Sequence, residues 1–313
     1  MTRKIILDCD PGIDDAVALC MALFDPRLEV LAITATAGTV AADQATSNVA
    51  SIVGALDPPR YPRFGKATES DRVAISDDIH LNGPDGLAGC CLETTDRQHS
   101  TPSEKVIAEL LRKYPGEITL VCLGPLTNLA RLCERDPGVM RMIDKIVISG
   151  GAVTSPGNAT AVAERNMYFD AASANAVFAS PTTKSLMPLD VTDQVSFGLE
   201  ILEQLPAKYT RAGQLLHKML SFAFRTAHQK LGRELIPFHD ATALLSVTEP
   251  ELFQWQEMAG KVETSGELTR GMTVFDQRLR PQWQRNMEVA CGVDEVTAKA
   301  AIVRALRYAG QES

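Results

Sequence analysis

The sequence predicts an α/β fold, with an open, mainly parallel (mixed) sheet and helices on both faces, in a single domain over residues 1–313. Three observations predict it. Apolar and β-branched runs such as Ile5-Ile6-Leu7 and residues 28–36 lack polar alternation, which suits strands buried on both faces. A helical pattern follows each run, and a Gly- or Pro-bearing turn separates several of the pairs. Repetition of strand, turn and helix implies parallel crossovers, which places helices on both faces.

Taken in order, residues 3–9 read as a buried strand, broken by Pro11-Gly12 and followed by an apolar helix over 16–24. The strand 28–36 leads to a helix over 41–56. Pro102-Ser103-Glu104 opens a helix to Lys113, and 117–123 is the next strand. Gly124-Pro125-Leu126 turns into a helix over 127–135, and the strand 144–149 ends in Gly150-Gly151. The second half is less regular. Residues 209–231 and 294–308 read as helices, while 255–263 and 284–290 read as strands of a hairpin-like edge. Residues 65–101 are polar and Gly-rich, as in a long loop beside a site. In such sheets ligands bind beyond the carboxyl ends of strands, so Asp10, Thr39, Leu123 and Gly150 are placed to meet.

Composition narrows the function. A hydrophobic content of 45% and a charged content of 22% are ordinary for a globular enzyme. The net charge of −8, with no Lys/Arg run, argues against nucleic acid as a partner. No apolar stretch approaches the roughly 18 residues of a membrane span, and the N-terminus enters a strand directly, so a cytoplasmic protein is expected. Seven cysteines without CxxC spacing give neither a disulfide framework nor a zinc site. Phosphate-loop, GxSxG and HExxH motifs are absent from the sequence.

The opening Asp8-Cys9-Asp10-Pro11-Gly12-Ile13-Asp14-Asp15 carries the chemistry. Four carboxylates in eight residues repel one another, so either some stay protonated or a cation neutralises them. An all-oxygen donor set suits a hard cation such as Ca²⁺ or Mg²⁺. Asp14 or Asp15 alone is more often a helix-capping acid than a ligand, but capping does not account for Asp8 and Asp10. Glu164 and Asn166, two apart after Gly157-Asn158, share one side in an extended chain and suit the hydroxyls of a sugar, or form a polar surface turn. His239-Asp240 precedes a helical run over 241–247. Asp240 either caps that helix or joins the cluster, and in the latter case brings His239 to the cleft as a proton donor. Asp85-Gly86 reads as a turn.

Asp8 to Ala16, then Gly124-Pro125-Leu126-Thr127-Asn128, then Gly157-Asn158 with Glu164 and Asn166, and finally His239-Asp240-Ala241 resemble the inosine–uridine-preferring nucleoside hydrolase family. The resemblance implies a Ca²⁺-dependent N-ribohydrolase acting on a small-molecule nucleoside, usually a homodimer or homotetramer. It implies Asp10, Asp15, Asp240 and the backbone carbonyl of Leu123 as calcium ligands. Asp14, Asn158, Glu164 and Asn166 would hold the ribose, with Thr39 where the family usually has an Asn. With Ca²⁺ activating a water, Asp10 would take its proton and His239 would protonate the departing base. The surrounding carboxylates would stabilise an oxocarbenium-like state and repel a 5′-phosphate.

This chain departs from the family pattern at Thr39, Ser149, Arg165 and Asn82, and it has Ala223 and Ala227 where a tyrosine would stack on a base. Two other readings therefore stand beside the hydrolase. One is a nucleoside- or ribosyl-binding protein, or a hydrolase of a non-standard ribosyl compound. The other is a Mg²⁺-dependent phosphotransferase of the haloacid-dehalogenase type, which shares Asp-x-Asp after a first strand but leaves Asp14-Asp15 and His239-Asp240 unexplained.

Overall fold

A computed structural model describes residues 2–69, 79–90 and 101–312. Eight strands form the central sheet: β1 (Arg3–Cys9), β2 (Leu28–Ala35), β3 (Arg63–Gly65), β4 (Ile118–Cys122), β5 (Ile143–Ser149), β6 (Lys184–Met187), β7 (Phe253–Met258) and β8 (Met287–Val293). Their order is β3-β2-β1-β4-β5-β6-β8-β7. Every neighbouring pair is parallel except β8 with β7, which is antiparallel. The predicted mixed sheet and its antiparallel edge are both present.

Strand alternation divides the core. Ile5, Leu7 and Cys9 of β1 join one apolar cluster and Ile6 joins the other. On the first face lie α1 (Ile13–Phe24), α2 (Ala42–Leu56), α6 (Arg211–Thr226), α7 (His239–Thr248) and α8 (Glu295–Glu312). On the second lie α3 (Ser103–Lys113), α4 (Thr127–Arg135) and α5 (Ala171–Ala179). The chain leaves β1 towards β2 and β3, then returns to β4 on the other side of β1. The carboxyl ends of β1 and β4 therefore flank the topological switch point, where a crevice opens for a ligand.

Three expectations shift in detail. The strand expected over 255–263 is split, with Phe253–Met258 in the sheet and Gly260–Val262 paired with Thr273–Phe275. At the break the Asn286 side chain accepts the Gly260 N–H at 2.9 Å and donates to its carbonyl at 2.9 Å, satisfying both backbone groups away from the main sheet. The last parallel strand accordingly begins at Met287, three residues later than 284–290 implied. The helix expected over 209–231 runs as Arg211–Thr226, capped by the Thr210 hydroxyl. It then widens into a π-turn, Ala227–Leu231, closed by Gly232 at φ +63. Of the expected 65–101 loop, 70–78 and 91–100 lie outside the described residues. Between them, Asp85 makes the expected turn, its Oδ1 accepting the Leu87 and Gly89 N–H groups.

Candidate active site

Beyond the carboxyl ends of β1, β4 and β5 lies a cavity of about 430 Å³, within the range of small-molecule sites. Asp10, Asp14, Asp15, Thr39, Leu123, Asn158, Glu164, Asn166, His239 and Asp240 all line it. The residues singled out in the sequence thus meet in one place, although 230 positions separate Asp10 from Asp240.

Asp8 does not line it. Its side chain is wholly buried, with Oδ1 accepting from Thr34 Oγ1 at 2.6 Å and Asn128 Nδ2 at 2.8 Å. Asn128 also reaches the Ala35 carbonyl at 2.9 Å, so Asp8 ties β1, β2 and the start of α4 together beneath the site. Of the four clustered carboxylates, one is a strut and three reach the cavity.

Asp10 follows the strand, and the loops around it leave almost no spare room. A Cβ on Gly124 would stand 2.5 Å from Asp10 Oδ1, and one on Gly38 would collide with Oδ2. Only glycine allows both approaches. Thr39 fixes the carboxylate from the same loop, its N–H donating to Oδ2 at 2.7 Å and its hydroxyl at 3.0 Å. Asp15 reaches back to the Gly12 N–H at 2.9 Å, and Asp14 accepts the Asp240 N–H at 3.0 Å, locking α1 to α7. Ser149 Oγ holds Asp240 Oδ1 at 3.0 Å. Asn166 donates to the carbonyls of Leu123 at 2.7 Å and Ser149 at 3.1 Å, which leaves a second lone pair on Leu123.

Glu164 carries a structural duty the sequence did not reveal. It caps the short helix Arg165–Phe169, accepting the Asn166 and Met167 N–H groups, and it also holds the Gly151 N–H at 3.1 Å. Asn158 stands exposed at the rim, its Oδ1 accepting the Arg165 N–H at 2.8 Å. Two further residues were missed. Thr192 Oγ1 lies 2.7 Å from His239 Nδ1 and orients the ring. Asp190 gathers the N–H groups of Val153, Thr154 and Ser155, clamping the loop that carries Asn158. Their only sequence signal is polarity just after the end of β6, in Leu189-Asp190-Val191-Thr192.

Burial dominates the electrostatics. It pushes Asp10 up to about 6 against the Thr39 hydrogen bonds and the Arg165 charge, and Asp14 up to about 7 against its backbone donors. Asp15 and Asp240 are raised well above the usual carboxylate range by burial and by repulsion from the neighbouring carboxylates. These groups cannot all ionise together without a counter-charge. Burial, with Arg165 and Arg233 adding to it, lowers His239 to about 4, so its ring is neutral near pH 7.

A metal fits this donor set. All the candidate ligands are oxygens, and Asp14 Oδ1 and Asp15 Oδ1 are buried with no hydrogen-bond partner, an arrangement that costs free energy unless something else occupies them. Among the described residues no three His, Cys, Asp or Glu side chains are already closed into a metal cage. Asp10, Asp14, Asp15 and Asp240 all line the one cavity.

The sequence matches the inosine-uridine preferring nucleoside hydrolase family over residues 5–300. This chain belongs to that family. It is an N-ribohydrolase, a ribonucleoside hydrolase acting on the N-glycosidic bond, and its family is metal-dependent. It is 36% identical over 312 residues to the pyrimidine-specific ribonucleoside hydrolase RihA of Shewanella baltica, covering 98% of this chain and 97% of that protein. It is 34% identical to the non-specific ribonucleoside hydrolase RihC of Salmonella enteritidis, covering 97% and 98%. Among solved structures it superposes on the purine-preferring ribonucleoside hydrolase of Gardnerella vaginalis with a TM-score of 0.91 and 27% identity, covering 99% and 100%. These three proteins differ in base preference, so membership of the nucleoside hydrolases leaves the base open. Among the described residues no helix is long and apolar enough to cross a membrane.

Proposed function

We propose that this nucleoside hydrolase uses Ca²⁺, held by Asp10, Asp15, Asp240 and the Leu123 carbonyl. The observation that carries the reading is the buried, partnerless oxygen on Asp15 within an all-oxygen, mutually repelling cluster. A backbone carbonyl among several carboxylates suits Ca²⁺, which takes roughly 6–8 oxygen ligands, better than Mg²⁺, which keeps several of its waters. When bound, the ion supplies Lewis-acid activation of a water nucleophile.

The chain's own groups do the rest. Asp10, fixed by both donors of Thr39, stands as the base that removes the proton of the attacking water. Asp14, with one oxygen spare, and Asn158, Glu164 and Asn166 receive the ribose hydroxyls. Their carboxylates stabilise positive charge as the anomeric carbon loses its base. His239, neutral and oriented by Thr192, faces the departing base as a hydrogen-bond donor rather than as a standing imidazolium.

Purified protein assayed for ribose release from inosine, adenosine, guanosine, uridine and cytidine tests this. Turnover that chelation removes, and Ca²⁺ restores better than Mg²⁺, supports the reading. Turnover indifferent to chelation refutes it. A homodimer or homotetramer in the cytoplasm is also proposed, as the family resemblance implies, and light scattering checks the assembly.

A further inference from the structure

A histidine ring with one proton carries it on Nδ1 or on Nε2, and only a nitrogen that faces the ligand can donate to it. The two nitrogens of His239 have different surroundings. Nδ1 lies 2.7 Å from Thr192 Oγ1, and Thr192 is almost wholly buried at the end of the short helix Leu189–Thr192. Nε2 lies 3.9 Å from Oδ1 of Asp193, the next residue, which lines the cavity with its side chain half exposed. Nδ1 is thus closed off by the protein, and Nε2 is the nitrogen left to a ligand.

Thr192 can serve Nδ1 in two ways. Its hydroxyl either donates to a bare Nδ1, or accepts an Nδ1–H while turning its own proton to the Pro188 carbonyl, 3.3 Å away. That distance exceeds the roughly 2.5–3.0 Å of a good O–H···O bond. The Pro188 carbonyl also accepts the N–H groups of Val191 and Thr192, each at 3.0 Å, which fills its two lone pairs. The hydroxyl proton therefore goes to the nearer acceptor, Nδ1, and the ring proton goes to Nε2. Asp193 selects the same form, because a carboxylate oxygen beside Nε2 attracts an N–H there and repels a lone pair. Burial raises Asp193 above the usual carboxylate value, and the Arg233 charge opposes that shift, favouring the ionised form.

We propose that Thr192 and Asp193 are a pair of positioning residues that hold the His239 proton on Nε2, where it meets the departing base. The proposal rests on the hydrolase reading of the same site, and it assigns the proton arrangement that departure of the base requires. As the C1′–N bond breaks, its electron pair passes to the base, and the Nε2–H stabilises the charge that builds there. With the proton on Nδ1, the ring would present a lone pair to that charge and oppose it.

The test compares two leaving groups in the wild type, Thr192→Val, Thr192→Ser and Asp193→Asn, with Ca²⁺ present. One substrate is the ribonucleoside the wild type cleaves best among inosine, adenosine, guanosine, uridine and cytidine. The other is p-nitrophenyl β-D-ribofuranoside, whose phenolate departs without a donor. Thr192→Val should lower kcat on the nucleoside by about tenfold and change kcat on the phenyl riboside by less than about twofold, while Thr192→Ser restores the nucleoside. Asp193→Asn should show the same split at about threefold, since its carboxylate is half exposed and farther from the ring. Equal losses on both substrates, or no loss on either, overturn the proposal. Nitrogen-15 NMR of protein labelled on its histidine rings reads the proton directly, with His239→Gln marking the signal. The wild type should carry it on Nε2, and Thr192→Val should shift it towards Nδ1; a wild-type proton on Nδ1 overturns the proposal. If the wild type cleaves no nucleoside, the hydrolase reading fails by itself, and the NMR spectrum still decides where the proton is held.

Discussion

The two ends of the central sheet bury charge in opposite ways. At the amino end, Lys184 opens β6 almost wholly enclosed, and its Nζ donates to the carbonyls of Ser180 at 2.6 Å and Thr182 at 2.8 Å. There the chain itself supplies hydrogen-bond partners. At the carboxyl end, Asp14 and Asp15 each keep one oxygen without a partner, and Asp15 and Asp240 repel their neighbours. There the chain leaves the charge unsettled. Burial is common to both ends, so burial alone does not mark a site. What separates them is whether the protein supplies its own partners, and a buried group left unsatisfied where it lines a cavity is one that a ligand can complete.

The contrast breaks most visibly at Asp10. Asp10→Ala should lower kcat/KM by at least about a thousandfold, since it removes a base and a proposed ion ligand together, while circular dichroism shows the fold retained. Wild-type activity in Asp10→Ala would end the assignment. His239→Ala should cost less, about a hundredfold at the low end for such groups, because a ring lowered to about 4 is already neutral near pH 7. Steady-state kinetics of both variants orders them.

Stability sharpens the same comparison. Asp15→Asn should raise the Tm of chelated protein by relieving repulsion, and should abolish the Tm rise that Ca²⁺ gives the wild type. A higher Tm for chelated wild type would show the cluster already settled. Asn128→Ala should cost roughly 1–3 kcal/mol in urea unfolding, because it strips a donor from the buried Asp8 and from the Ala35 carbonyl.

The smallest effect belongs to Lys184. Burial lowers it from the ordinary 10.5 to about 8. Between those pH values the unfolded chain holds the proton that the folded chain has released, so this group makes stability rise with pH. Below about 8 both states are protonated, and the penalty of burying the charge stands in full. Lys184→Met should therefore gain on the wild type at pH 7, by roughly 1–2 kcal/mol in unfolding free energy, and lose that advantage by pH 10. A constant difference across that range would show that Lys184 does not titrate in the folded protein.

Elements with a long apolar period were readable in the chain. β1, β2, α2, α4 and β5 fall within two residues of their expected bounds. β3 and β6, three and four residues long, were not foreseen, because such lengths hold too little pattern and Lys184 disguises β6 as polar. Asp10, Asp14 and Asp15 were legible because they crowd into six residues, and the family motif supplied Asp240. The capping duty of Glu164, the Thr192 contact to His239 and the clamp at Asp190 were not. Each depends on a backbone or side chain brought near by a different strand.

By itself the sequence determined the alternation of buried strands and helices, the oxygen-rich chemistry after the first strand and the family to which the motifs belong. Period and residue type are local properties, and a cluster within one turn is local too. Only the tertiary structure decided that Asp8 is a strut while Asp10 faces the cavity, that His239 is neutral, and that Arg165 and Arg233 line the same cavity. Those outcomes depend on burial and on distances between segments far apart in the chain, and both exist only once the sheet has assembled.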